Sequence, residues 1–207
     1  MSAAKFQIAP GFAVPFVLCE HPSPAALNER LRRLFLERET AGERYANPQP
    51  LVQRNAALWE SNFQLFDWPD APVTELRDYC WGQLYRAIRE LNGYDLEQLR
   101  KLHVSAESWF HITRKGGYFA LHNHPMASWS GLAVPRTTAQ RTAAAPPPPA
   151  CGAASSPRTR APMVMFPSWV LHEVRPYLGA GERITVAFNA RFKMVGIEQG
   201  QMPIYRA

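Results

Sequence analysis

The chain has 207 residues, 46% of them hydrophobic and 19% charged, which suits one globular domain with a substantial core and excludes an intrinsically disordered chain. No run of about 18 apolar residues is present to cross a membrane as a helix, and Pro10, Gly11 and Pro15 break up the N-terminal apolar residues, making a poor signal peptide. The formal net charge is +6, but Arg136, Arg141, Arg158 and Arg160 put +4 of it in an acid-free stretch, residues 132–160, and the remaining +2 argues against a nucleic-acid-binding face.

In chain order, GFAVPFVLCE (11–20) reads as a short strand. SPAALNERLRRLFLERE follows as a helix: Ser23 is placed to cap, Pro24 suits the first turn, and Leu27, Leu31, Leu34 and Phe35 fall on one face. Residues 41–57 read as loop and SNFQLFDW (61–68) as a short strand or extended segment. A second helix is predicted over Pro72 to Leu91, with Leu76, Cys80, Leu84, Ile88 and Leu91 on a stripe and Asn92-Gly93 as its stop. DLEQLRKL suggests a short third helix. The cysteines, Cys19, Cys80 and Cys151, are far apart, form no CxxC, and fit a reducing, cytoplasmic setting rather than a disulfide framework.

From residue 104 the pattern turns to strands. AESWFHITRKGGYFALHNHP gives a strand, a turn at Gly116-Gly117 and a second strand; APMVMFPSWVLHEVRPY gives two strand pieces around Pro167; ERITVAFNARFKMV is the clearest strand. Helices followed by many strands predict an α+β chain with a sandwich or barrel in its C-terminal half. The stretch 132–160, with four consecutive prolines at 146–149, reads as a polyproline-like insert. It falls inside the strand-rich half, where a long structureless segment is anomalous. The domain organisation expected is one domain over 1–207: an N-terminal part to 103, a core over 104–192 interrupted by this insert, and a tail over 193–207.

In ALHNHPMASWSG, His122 and His124 sit two apart, a spacing that puts both imidazoles on one face of an extended strand. A third ligand from elsewhere would let them share a cation; without one they read as solvated surface histidines. FPSWVLHEV brings His172 onto a later strand. Eleven residues on, Arg183 opens RITVAFN, where Arg183, Thr185, Ala187 and Asn189 alternate onto one face and Ile184, Val186 and Phe188 onto the other. Trp129 and Trp169 read as core or pocket wall.

HNHP…SWSG, FPSWVLHEVRP and GERITVAFN, in this order and spacing, resemble the bacterial family of 2-oxoglutarate/Fe(II)-dependent oxygenases. The resemblance covers most of 105–131 and 163–192. It implies a double-stranded β-helix, a cupin-like jelly roll with the N-terminal helices packed outside the sheet. It implies Fe(II) and 2-oxoglutarate as cofactors and a hydroxylase whose substrate, a small molecule or peptide, the sequence does not reveal. His122, His124 and His172 are then the metal ligands, His124 standing where the wider superfamily has Asp or Glu. Arg183 is the arginine that anchors the cofactor, with Thr185 as a helper on the same face, and His111 is a further candidate for that pocket. The pattern departs from the family between about 132 and 162, as a stretch translated in the wrong reading frame would. If genuine, that stretch implies a missing barrel strand and a missing part of the pocket wall, and puts turnover in question. Two alternatives remain: a cupin-type metalloenzyme that does not use 2-oxoglutarate, which would have no need of Arg183, and a catalytically defunct scaffold or binding protein.

Overall fold

The computed structural model describes residues 14–133 and 162–195. The greater part of the 132–160 insert, most of the 193–207 tail and Cys151 lie outside the described residues.

The elements are β1 (Val17–Glu20), α1 (Pro24–Thr40), β2 (Leu58–Glu60), α2 (Ala71–Asn92), α3 (Leu96–Lys101), β3 (Leu102–Thr113), β4 (Phe119–His122), β5 (Trp129–Ala133), β6 (Pro162–Pro167), β7 (His172–Val174) and β8 (Arg183–Met194). Both long helices form where the apolar stripes predict them. Leu27, Leu31 and Phe35 of α1 are buried, as are Leu76, Cys80, Leu84 and Ile88 of α2. Gly93 ends α2 in the left-handed conformation, at φ 66°, that glycine adopts without steric cost. Asp95 and Gln98 close a capping box on α3.

Four local expectations need correction. Ser23 makes no side-chain cap bond; its backbone N–H donates instead to His21 Nδ1 at 3.1 Å. Leu91, the last residue of the stripe, is exposed. Strand β2 lies earlier than the 61–68 segment, which instead winds into a 3₁₀ turn at Leu65–Asp67 and buries Leu65 and Phe66. Of the described residues of 11–20, those at 14–20, only Val17–Glu20 pair as a strand.

Six strands form one sheet in the order β1-β6-β5-β8-β3-β2, and β4 pairs with β7 in a second. Among the described residues these strands all pair antiparallel. Although only a turn at Gly116 (φ 83°) separates β3 from β4, they join different sheets. Residues Ser108–Thr113 of β3 are therefore buried on both faces. Phe110 and Ile112 point into the core under the helices with Ile184, Val186 and Phe188 of β8. Trp109 and His111 point the other way, into a cavity that His122 and His172 of the small sheet also line. This is the double-stranded β-helix with helices outside one sheet that the sequence implies.

Gly131 shows how tightly the large sheet packs. It pairs with Phe188 across β5 and β8, and a Cβ there would stand 2.2 Å from that ring. Phe188 is itself wedged against Phe66 and Trp81. Gly131→Ala is therefore expected to cost about 1–3 kcal/mol by overpacking, seen as a lower denaturation midpoint at unchanged slope. An unchanged midpoint would mean that the ring has room to move.

Candidate metal centre

Three imidazoles converge between the two sheets. One nitrogen from each of His122, His124 and His172 lies within 4.8 Å of the others, close enough to share one ion. His122 and His172 are cross-strand partners in the small sheet. His124 arrives differently from the expectation. Strand β4 ends at His122, so His124 sits in the following loop, where its backbone N–H donates to the Ser168 carbonyl at 2.8 Å. Loop geometry, not strand alternation, turns its ring inward.

The ring nitrogens are already sorted for metal binding. Nδ1 of His122 faces the Ala120 carbonyl at 2.7 Å, and Nδ1 of His172 faces the Val170 carbonyl at 2.9 Å. A carbonyl only accepts, so the proton sits on Nδ1 and the Nε2 lone pair is left for a metal. Burial pulls all three rings below the ordinary histidine range, and His122 and His172 help push His124 down to about 4. The cluster is thus a set of neutral donors near pH 7. In chemistry and spacing it fits Fe(II).

The cavity beside the triad encloses about 160 Å³, the space of about five waters. Phe119, Phe166, Val174 and Trp109 make much of its wall apolar, with Ser130 and Asn189 as polar lining. Behind these, the Ser130 hydroxyl donates to Asn189 Oδ1 at 2.8 Å. His111 also lines the cavity. Its Nε2–H donates to Glu60 Oε2 at 2.7 Å, and Trp109 Nε1 lies 3.1 Å from the same nitrogen.

The other two candidates lie along β8. In register, Ala187 pairs with Trp109, Thr185 with His111 and Arg183 with Thr113. Ala187 and Asn189 line the cavity, so Thr185 and Arg183 continue the same face beyond it. Thr185 is buried beside His111, while Arg183 is half-buried against the Tyr177 ring at 5.3 Å. Neither touches the triad. Among the described residues, Nε and Nη2 of Arg183 are buried and meet no hydrogen-bond partner. Burial draws its proton affinity down, with the Tyr177 oxygen opposing. A buried fork of unanswered donors fits a carboxylate.

Of the tryptophans, Trp129 packs partly buried against the core, but Trp169 is exposed and belongs to neither core nor wall. Sequence reasoning missed Glu60. It is 51 residues from His111, and nothing in ALWESNF marks this acid as buried.

A double-stranded β-helix whose cavity holds three histidines able to share one metal ion is the class that fold and site define. Residues 134–189 match the family model described as "Putative 2OG-Fe(II) oxygenase", a span that includes His172, Arg183 and Thr185 and stops short of His122 and His124. Among solved structures, a Pseudomonas putida prolyl-4-hydroxylase is similar with a TM-score of 0.57 at 19% identity, over 85% of this chain and 91% of that one. A Trichoplax adhaerens prolyl hydroxylase, solved with a hypoxia inducible factor peptide fragment, follows at 0.55 and 12%, over 85% and 83%. These likenesses show the fold. No curated protein matches the sequence. The family-model match agrees with the resemblance that the motifs carry to 2-oxoglutarate/Fe(II)-dependent oxygenases, and the solved structures share the fold. No helix among the described residues is long and apolar enough to cross a membrane.

Proposed function

We propose that this chain is a cytoplasmic Fe(II)- and 2-oxoglutarate-dependent dioxygenase that hydroxylates a C–H bond of a small molecule or peptide. The observation that carries the reading is a pair: three neutral imidazoles directed at one point, and a half-buried guanidinium on β8 whose Nε and Nη2 are buried and unanswered among the described residues.

In this reading His122, His124 and His172 would hold the metal, three protein ligands being few enough to admit the oxo acid and oxygen as well. Arg183 grips the far carboxylate of 2-oxoglutarate through two parallel N–H bonds, and Thr185 adds a hydroxyl donor. The apolar walls, Phe119, Phe166 and Val174, keep water from the reacting atoms. When bound, the iron and oxo acid supply the oxidation: 2-oxoglutarate goes to succinate and carbon dioxide, with one oxygen atom entering the substrate C–H bond. Leu121, Met126, Trp169 and Leu171 are exposed within three residues of a triad histidine. Such a rim offers apolar contact to a peptide, which favours that substrate class.

The test is anaerobic. Purified protein given Fe(II) and then 2-oxoglutarate is expected to develop a visible charge-transfer band, and admitting oxygen should release succinate only when 2-oxoglutarate is present. Iron bound tightly with neither band nor succinate would favour the cupin-type alternative. No iron bound, with His122→Ala changing nothing, would favour a defunct scaffold.

A further inference from the structure

Three imidazoles carry no charge, so this metal centre lacks the anionic ligand that a carboxylate would give it. The cavity wall supplies a carboxylate one step back. Glu60 is 3% exposed and ends β2, the strand that pairs with β3 at His111. Its Oε2 accepts from His111 Nε2 at 2.7 Å, and His111 forms the cavity wall next to Phe119, whose ring in turn lies 4.8 Å from that of His122. The other carboxylate oxygen, Oε1, accepts from Asn47 Nδ2 at 2.7 Å and lies 4.0 Å from Arg54 Nη2. The Glu60–Arg54 pair is therefore a buried dipole with its negative end on the cavity side. Buried charges are little screened by salt, and their fields reach further than those of surface groups. The other acid at the cavity, Glu173, is exposed and answers to Arg175 at 3.1 Å, so its field is largely spent in solvent.

We propose that Glu60, acting through His111, is a positioning residue that supplies the triad's missing negative charge from outside the coordination sphere. The inference rests on the reading of His122, His124 and His172 as the metal site, but not on 2-oxoglutarate. A carboxylate buried this deeply is costly unless its partners hold it. Here they do: burial alone would raise the Glu60 carboxyl, but His111, Asn47 and Arg54 outweigh it and hold it below the usual carboxylate range. A Glu60 that only clamps the loop carrying Asn47 and Arg54 would need no link to a cavity histidine. The His111 bond is what ties it to the centre. Carboxylates behind metal-binding histidines tune affinity by roughly 10–100-fold in known sites; here the relay passes through a histidine that is not itself in the triad.

Fe(II) affinity, measured by anaerobic chelator competition on the full chain, decides. Glu60→Gln keeps the shape and removes the charge, and is expected to weaken Fe(II) about tenfold or more, while Glu60→Asp restores most of the affinity. Arg54→Gln leaves the carboxylate unopposed and is expected to bind Fe(II) more tightly than wild type, a change of sign that loop damage would not produce. The melting temperature of each metal-free variant reports loop damage separately. Wild-type affinity in a folded Glu60→Gln, or equal weakening in the Gln and Asp variants, overturns the proposal. Should Glu60→Gln fail to fold, Arg54→Gln decides alone, and weaker binding there overturns it too. Wild type that binds Fe(II) but no 2-oxoglutarate sinks the proposed function and leaves this inference standing; wild type that binds no Fe(II) sinks both.

Discussion

Arg183→Ala is expected to weaken 2-oxoglutarate binding at least a hundredfold while leaving Fe(II) affinity within about twofold. The guanidinium belongs to β8, in register with Thr113, and does not line the cavity of the three histidines. Its loss therefore should not disturb the ion. Hydrogen bonds to charged groups contribute about 1.5–3 kcal/mol each, so a lost two-bond fork amounts to about 3–6 kcal/mol, or about 10²–10⁴ in affinity. Arg183→Lys keeps the charge without the planar fork and should fall between. Calorimetric titration of the Fe(II)-loaded protein with 2-oxoglutarate measures both variants. Equal loss of metal and oxo acid would show that the roles are wrongly divided.

The same side chain carries a stability consequence of opposite sign. In the protein alone, Arg183 buries Nε and Nη2 without partners among the described residues, and its main compensation is the Tyr177 ring at 5.3 Å. Desolvating an ion costs several kcal/mol, whereas a cation over an aromatic ring returns about 0.5–2. Removing the cation should thus raise the melting temperature of the ligand-free protein. Arg183→Met is expected to melt higher than wild type alone, and to gain nothing from added 2-oxoglutarate, which stabilises wild type in proportion to its binding. Such an exchange of stability for function is expected of a binding group kept unpaired.

What the sequence made legible was whatever repeats with a fixed period or a fixed local chemistry. The stripes of α1 and α2, the glycine stop at Gly93 and the alternation of Arg183, Thr185, Ala187 and Asn189 along β8 each follow from backbone geometry acting over a few residues. The triad was legible because HNHP and SWVLH carry their chemistry in short words. The errors lie where distant parts of the chain decide. Leu91 continues a helical stripe but is left exposed at the end of α2. The extended look of 61–68 yields to a 3₁₀ turn that packs Phe66 on Trp81 and Phe188. His124 points inward because Ser168 fixes its loop, and Glu60 enters the site only through a pairing of β2 with β3 that no local pattern announces. Trp169 has the residue type of a wall and the position of a rim.

Phe110→Ala is expected to be the most damaging single core substitution, at about 3–5 kcal/mol. The ring has no exposure. It stacks on Phe35 of α1 with centroids 4.0 Å apart and planes at 10°, and meets Trp59 at 5.2 Å and Trp68 at 6.0 Å. It thus ties α1 to the large sheet, and its two neighbours in sequence, Trp109 and His111, line the cavity from the opposite face. Truncation leaves a hole that α1 and β3, each held by other contacts, are poorly placed to close. Beyond the transfer and cavity terms, the aromatic contacts add about 0.5–1.5 kcal/mol. Urea denaturation of Phe35→Ala, Phe110→Ala and the double variant separates these contributions. Because each ring is the other's wall, the double variant should lose less than the sum of the singles by about 0.5–3 kcal/mol. Strict additivity would mean that the two rings are stabilised by different neighbours and that the stack contributes nothing of its own. Fe(II) affinity of the folded Phe110→Ala protein then tells whether the core behind β3 also holds the metal site in shape: if His111 and Trp109 depend on that support, affinity falls along with stability, and if the small sheet alone positions the triad, it does not.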